Sequence, residues 1–323
     1  MMRIFSGIRP SGKIHIGNYL GAIKQWIELQ NKNEAIFAVV DYHAITTPFT
    51  KKELENDTLD AIFDYLAAGV DPNKSALILQ SQIPEHLELS WIFSSITPLS
   101  WFGRVPTYKE KVESNPEYVS LGLLSYPALM AADILLYGTT HIPVGEDQIP
   151  HIELTNDIAR RFNNIFGKTF KRIKPLLAQG ARIMSLQNPL KKMSKTGDSG
   201  IALSDEPDII RDKIKKAVTD SGTEIKYGYD KPAISNLLTI YSEFSGKKIA
   251  EIEKEYAGKG YGEFKKDLAE IIVNGLKDFR EKRKKFADNK DYILQILKSG
   301  KEKAQKQAQQ TLKNVKEKIG III

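Results

Sequence analysis

Residues 2–18 read M-R-I-F-S-G-I-R-P-S-G-K-I-H-I-G-N, and this stretch decides the fold. Residues 2–8 are short, apolar and β-prone, and Pro10, Ser11 and Gly12 end them as a turn. Leu20, Ile23, Trp26, Ile27 and Gln30 then recur at three- and four-residue spacing, the period of an amphipathic helix. A strand that passes through a glycine-spaced loop into a helix is the opening unit of an alternating α/β chain.

The next segments repeat that alternation. Residues 35–40 and 76–79 read as buried strands, the second preceded by the turn signal Asp71-Pro72-Asn73. Between them, residues 54–69 carry Leu59, Ile62, Phe63 and Leu66 on one helical face. This order predicts an α/β fold with a doubly wound parallel sheet, whose ligands sit beyond the carboxyl ends of its strands. Residues 85–137 read as helices and loops rich in aromatics, among them Trp91, Phe93 and Trp101. Residues 141–144 return to the sheet, and a helix follows over 152–162.

Beyond about residue 200 the pattern is helical almost throughout, with basic helices at 209–218 and 277–286. A final helix places Ala304, Ala308, Leu312, Val315 and Ile319 on one stripe and runs into Ile321-Ile322-Ile323, an apolar end expected to dock on this chain or on a second copy. The expected units are a sheet domain over 1–195 with an insertion at about 85–137, a helical domain over 196–300, and a C-terminal helix over 301–323 that packs back on the body.

Composition bounds the function. The 323 residues are 41% apolar, enough for two domains with substantial cores. No run approaches the roughly 20 apolar residues that span a bilayer, so no membrane partner is expected. The first ten residues lack the apolar segment of a secretory signal. Absence of cysteine excludes disulfides, thiolate nucleophiles and cysteine-ligated metal. These features predict a cytoplasmic enzyme without a structural metal. The net charge of +7 is unevenly shared: residues 1–150 hold 11 Lys/Arg against 17 Asp/Glu (−6), and residues 151–323 hold 36 against 23 (+13). A basic rear half suits a polyanionic partner, although it also describes a solvated lysine-rich surface.

Three constellations carry chemistry. In the first, Gly7, Gly12, Gly17 and Gly21 punctuate the strand–loop–helix unit, with His15 and Asn18 near the helix start. Glycines let a ligand lie against backbone, and the first helical turn offers unpaired N–H groups to a phosphate. The spacing fits neither the dinucleotide nor the P-loop fingerprint, and a capped turn has the same appearance. The second is K-K-M-S-K-T, residues 191–196, bounded by Pro189 and Gly197. Two lysines flanking a hydroxyl on a loop can follow charge that builds on a departing pyrophosphate, and they also describe a plain surface loop.

The third is Asp133 inside L-M-A-A-D-I-L-L-Y, residues 129–137. A carboxylate there is costly if buried unless something donates to it. Met130 shares its helical face and Tyr126 lies one turn further back, so that face offers a thioether, a ring and one acceptor. An indole, with one N–H donor and no acceptor, matches such a slot. A structural aspartate bonded to a helix end fits the same pattern.

Residues 10–18, P-S-G-K-I-H-I-G-N, resemble the first signature of class I aminoacyl-tRNA synthetases, with Asn18 in place of its second histidine. K-M-S-K-T, residues 192–196, resembles the second, with Thr196 for its last serine. Y-P-A-L-M-A-A-D-I-L (126–135) and P-V-G-E-D-Q (143–148) resemble the amino-acid-binding segments of the bacterial tryptophanyl branch, and the similarity weakens only after about 280.

The resemblance implies a Rossmann-like catalytic domain over 1–195, a helical anticodon-recognition domain over 196–300 and a homodimer built partly on 85–137. For ATP it implies His15, Gly17 and Asn18, with Arg9, Pro10 and Ser11 beside the phosphates, Gly145, Glu146 and Asp147 on the ribose side, and Ile183, Lys192, Met193, Ser194, Lys195 and Thr196 from the rear loop. For L-tryptophan it implies Asp133 on the indole N–H, Tyr126 and Gln148 near the ammonium, Phe5, Gly7, Met130, Ile142 and Val144 as walls, and His43 at the edge. Lys192, Ser194, Lys195, Lys111, His15 and Asn18 are the expected catalytic set.

The implied reaction joins L-tryptophan to ATP, with Mg²⁺ on the phosphates, and passes the aminoacyl group to tRNA(Trp). Several members have glutamine where Arg9 stands. Three rivals remain at this level. A tyrosine site would present more than one polar partner to a phenol. A nucleotidylyltransferase of related fold would need no long basic helical region. A silent paralogue would bind tryptophan or RNA without catalysis.

Overall fold

The computed structural model describes residues 1–114, 116–177, 182–194 and 200–322. A five-stranded, all-parallel sheet is ordered β3-β2-β1-β4-β5, with β1 Arg3–Ile8, β2 Glu34–Val39, β3 Ala76–Leu79, β4 His141–Val144 and β5 Lys174–Leu177. Side chains alternate across a strand, and the two faces feed two cores. Ile4, Phe37 and Leu77 belong to one; Phe5, Ala38 and Ile78 belong to the other. The four expected strands are all present. Strand β5 was missed because it is a mostly exposed edge with Pro175 in it, which erases the apolar run that marks a buried strand.

On the first face lie α1 (Ile16–Asn18), a π-helical turn (Tyr19–Ile23) and α2 (Lys24–Leu29), which sink Trp26 onto Phe37 at 4.8 Å. After β2 come α3 (Asp41–Ala44) and α4 (Lys51–Ala68). A reciprocal Thr50–Glu53 capping box starts α4, and Gly69, at φ +115°, ends it in the left-handed region that glycine tolerates. The segment between β3 and β4 is helical: α5 (Glu85–Ile96), α6 (Leu99–Phe102), α7 (Pro106–Ser114) and α8 (Leu121–Leu135). Phe93 is core, Trp101 packs at its margin, and Trp91 is 75% exposed.

Helix α9 (Ile149–Phe166) precedes β5, and the rear half continues as α10 (Pro207–Lys216), α11 (Pro232–Ser245), α12 (Ile249–Glu255), α13 (Tyr261–Gly275), α14 (Lys277–Ala287) and α15 (Lys290–Ile319). Residues of α10–α14 share the first core with α1, α2 and α4. Arg283 on α14 joins them through Asp60 and Asp64 on α4, the latter buried. Helix α15 starts at Lys290, ahead of the expected 301, and buries Ala304, Ala308, Leu312 and Val315 in the second core. Its expected docking end does not dock within this chain: Ile321 and Ile322 are exposed, and Ile323 lies outside the described residues. Among the described residues no helix is long and apolar enough to cross a membrane.

Strand β3 is an edge, and α15 covers it through Gly300. A methyl added at Gly300 would stand 2.0 Å from the Leu77 carbonyl oxygen. Alanine raises helix propensity by about 1 kcal/mol, yet overpacking against immovable backbone costs about 1–3 kcal/mol. Gly300→Val, with a branched side chain, is expected to lower the melting temperature by several degrees. An unchanged thermal melt would contradict this contact.

Candidate active site

The loops at the carboxyl ends of β1, β2 and β4, with the start of α1, enclose one cavity of 1140 Å³. Its position follows from the sheet order, because β1 meets β2 on one side and β4 on the other, and the connections diverge there.

One end is built by the two signature segments. His15 caps α1 reciprocally: its Nδ1 accepts the Asn18 N–H at 3.3 Å, and the Asn18 Oδ1 accepts the His15 N–H at 3.3 Å. Gly12, at φ +77°, donates its N–H to Asp57 and opens the loop between strand and helix. A Cβ at Gly17 would come within 3.0 Å of the His15 ring, and Ile183 packs behind it at 3.5 Å. The second segment folds back on the first. Ile16 donates to the Ile201 carbonyl and Leu203 to the Ile14 carbonyl, both at 2.9 Å, while Met193 donates to Ile183. Arg9, Pro10, Ser11, His15, Asn18, Met193 and Ser194 thus line one volume although the two segments lie far apart in sequence.

Lys192 sits beside this volume and bonds Asp147 at 2.8 Å. Burial pushes the Asp147 carboxyl up, but Lys192 and Gln148 outweigh it and leave it below the ordinary range. Gly145 lines the cavity; Glu146 is exposed and does not. The expected contacts of Lys195 and Thr196 lie outside the described residues.

The middle of the cavity is cationic. Burial lowers the Arg9 guanidinium. The Lys111 ammonium is lowered to about 8, first by burial and then by the charge of Arg9. Two half-buried cations, one of them lowered by the charge of the other, form a site that an anion would relieve. Lys111 also stands 5.2 Å from the Tyr126 ring centroid.

The far end is apolar with one charge in it. Phe5, Gly7, Met130, Ile142 and Val144 line it, and Asp133 lies among them at 2% exposure. Burial pushes the Asp133 carboxyl up, yet His86 and His43 outweigh it, so it stays below its ordinary value and is ionised. Its oxygens are already engaged: His43 Nε2 meets Oδ2 at 2.8 Å and Gln80 Nε2 donates to Oδ1 at 2.7 Å. His86 Nδ1 approaches Oδ1 to 2.7 Å, off the axis of an ideal hydrogen bond. Tyr126 Oη is 3.1 Å from His151 Nε2, and burial drives His151 down to about 4, keeping that ring neutral at pH 7. Gln148 completes the wall.

Gln80, His86 and His151 were missed by sequence reasoning. Gln80 follows directly on β3, the position where parallel strands present ligands to a site, and that was the available signal. His86 and His151 are single buried histidines on helices, and nothing local distinguishes them.

A family model described as tRNA synthetases class I (W and Y) matches residues 1–277. The tryptophan–tRNA ligase of Caldanaerobacter subterraneus subsp. tengcongensis is 48% identical over 328 residues, covering 100% of this chain and 99% of the relative. The crystal structure of tryptophanyl-tRNA synthetase from Mycoplasma pneumoniae superposes with a TM-score of 0.90 at 34% identity, covering 99% of this chain and 98% of that one. The Campylobacter jejuni tryptophanyl-tRNA synthetase, solved with ADP and tryptophan, superposes with a TM-score of 0.86 at 36% identity, over 99% and 100%. With two signature segments brought to one cavity and these relatives matched over their full length, the chain belongs to the class I aminoacyl-tRNA synthetases of the tryptophanyl and tyrosyl group.

Proposed function

We propose that the chain activates L-tryptophan with ATP and transfers it to tRNA(Trp), acting as a tryptophan–tRNA ligase. The observation that carries this reading is Asp133, a buried carboxylate among Phe5, Gly7, Met130, Ile142 and Val144 in the cavity that also holds both signatures. An indole N–H is the donor such a site completes. With its ammonium near Tyr126 and Gln148, tryptophan would turn its carboxylate toward the α-phosphate of a nucleotide seated on His15, Gly17 and Asn18. Its oxygen attacks phosphorus, the α–β bridging bond breaks, and pyrophosphate leaves toward Arg9, Lys111, Lys192 and Lys195. A terminal ribose hydroxyl of the tRNA then attacks the acyl carbon and AMP departs. Positioning and electrostatics suffice for both steps. Mg²⁺ enters on the phosphates of the nucleotide.

Residues 1–195 would form the catalytic unit. The basic helical region that follows would meet tRNA through phosphate contacts and unpaired bases. Exposed apolar side chains at Trp91, Leu99 and Leu121 support a homodimer through 85–137. The proposed setting is the cytoplasm.

ATP–pyrophosphate exchange assayed with each amino acid tests the reading. Exchange with tryptophan alone supports it; exchange with tyrosine, or none, refutes it. A pH series gives a second check. Lys111, with its value lowered to about 8, carries charge below that pH and loses it above. The KM for ATP, measured at saturating tryptophan, is therefore expected to rise several-fold from about pH 7 to about pH 9. Lys111→Met should show a high KM at both pH values. A flat profile in the unmodified enzyme would remove Lys111 from nucleotide binding.

A further inference from the structure

We propose that Gln80 and His86 are positioning residues for tryptophan selection: together they occupy Oδ1 of Asp133, so that Oδ2 alone offers an acceptor to the substrate. The inference rests on the tryptophan reading and names two side chains that never touch the substrate. Both are 0% exposed and neither lines the cavity.

The orientation of each is determined by its other partner. Gln80 Oε1 accepts the Tyr42 backbone N–H at 3.1 Å, so the amide nitrogen must turn to Asp133, which it reaches at 2.7 Å. His86 Nε2 meets the Tyr137 hydroxyl at 2.6 Å. Burial, then Asp133 and Glu85, hold the Tyr137 phenol well above its ordinary range, so it stays a donor. With Tyr137 donating to Nε2, the imidazole proton belongs on Nδ1, facing Oδ1 at 2.7 Å. Tyr137 in turn stacks on Phe5, a wall of the cavity, and its carbonyl accepts from Gln307 on α15 at 2.7 Å.

A carboxylate has about four lone-pair positions. Gln80 donates to Oδ1 and the His86 Nδ1 crowds the same oxygen at 2.7 Å, His43 takes one position on Oδ2, and one remains for the indole. Without the two buried donors the carboxylate could rotate and present either oxygen. It would also lose compensation for its burial, which pushes the carboxyl up toward the protonated form, a donor where the indole needs an acceptor. The other titratable groups around Asp133 are His43 on α3, Tyr137 at the end of α8, Glu85 beside His86, and Tyr126, behind which lie His151 and Lys111. His43 alone of these reaches Oδ2, so it cannot replace the pair on Oδ1.

The test measures tryptophan-dependent ATP–pyrophosphate exchange on purified full-length Gln80→Met, His86→Leu and His86→Asn, with thermal melts on each. Gln80→Met keeps the shape of the side chain without its donor. It is expected to raise the KM for tryptophan about 10- to 100-fold and to leave the KM for ATP and kcat within about threefold. His86→Leu should do the same and add a pH dependence: its KM for tryptophan climbs as pH falls across an assay range of about 8 to about 6, because the Asp133 carboxyl has lost a neighbour that holds it low. The unmodified enzyme should be flat there, since its Asp133 titrates below the ordinary range. His86→Asn, with an amide nitrogen near the place of Nδ1, should restore most of the affinity and the flat profile.

Folded Gln80→Met and His86→Leu with unmodified KM and flat profiles would overturn the inference. So would a loss in His86→Leu that is independent of pH and accompanied by an equal loss for ATP, the mark of a merely structural role. If the unmodified enzyme itself shows no exchange with tryptophan, the functional reading fails first, and the two failures are distinct.

Discussion

Asp133→Asn is expected to fold and to lose tryptophan activation, with kcat/KM for tryptophan down about 100-fold or more. The reason lies in the four positions around the carboxylate. Gln80 donates to Oδ1 and the His86 Nδ1 lies 2.7 Å from it, so the amide oxygen of an asparagine must turn to that side. Its NH₂ group then faces His43 and the cavity. His43 can accept by moving its proton to Nδ1, so the interior stays satisfied. The indole N–H meets a donor instead of an acceptor, and no rotamer corrects that.

Asp133→Ala differs in kind. It leaves His43, Gln80 and His86 without their acceptor, and each buried orphan costs about 1–3 kcal/mol. That variant should lose several degrees of melting temperature as well as activity, and discrimination against phenylalanine should relax in competition assays. Unmodified tryptophan kinetics in Asp133→Asn would remove this residue from substrate recognition.

The second large effect is expected at Lys192. Lys192→Ala should lower kcat about 100- to 1000-fold while tryptophan binding, followed by equilibrium titration, stays within about threefold. Lys192 is bonded to Asp147 at 2.8 Å, and both side chains are about half exposed, at 44% and 52%. A pair that open to solvent is worth about 0–1 kcal/mol, so the ammonium can leave it cheaply when charge builds on pyrophosphate. Contact that strengthens only in the transition state lowers kcat when removed, not ground-state affinity. Asp147→Asn, which releases the lysine, should change kcat far less than Lys192→Ala does. An alanine double replacement of Lys192 and Lys195 with ordinary kinetics would exclude the clamp.

Much of the fold was legible from residue order. The strands at Arg3–Ile8, Glu34–Val39 and Ala76–Leu79 are nearly continuous apolar runs because a parallel sheet is covered on both faces. The signature segments were legible because their residue types and spacing lie within a few consecutive positions and resemble a known family's motifs. Strand β5 was illegible because an exposed edge has no apolar constraint. The bare Ile321-Ile322 end and the exposed Trp91 illustrate that apolar character tells that burial is wanted, not whether this chain supplies the cover.

By itself, then, the amino-acid order determined an alternating α/β chain, two signature loops, a basic helical rear, and one carboxylate in an apolar run that, once buried, had to find donors. Only the tertiary structure decided which donors these are. His43, Gln80 and His86 come from three different elements, and no period along the chain relates them to Asp133. Local propensity acts over a few residues, whereas satisfying a buried charge is a condition on everything within hydrogen-bond reach of it.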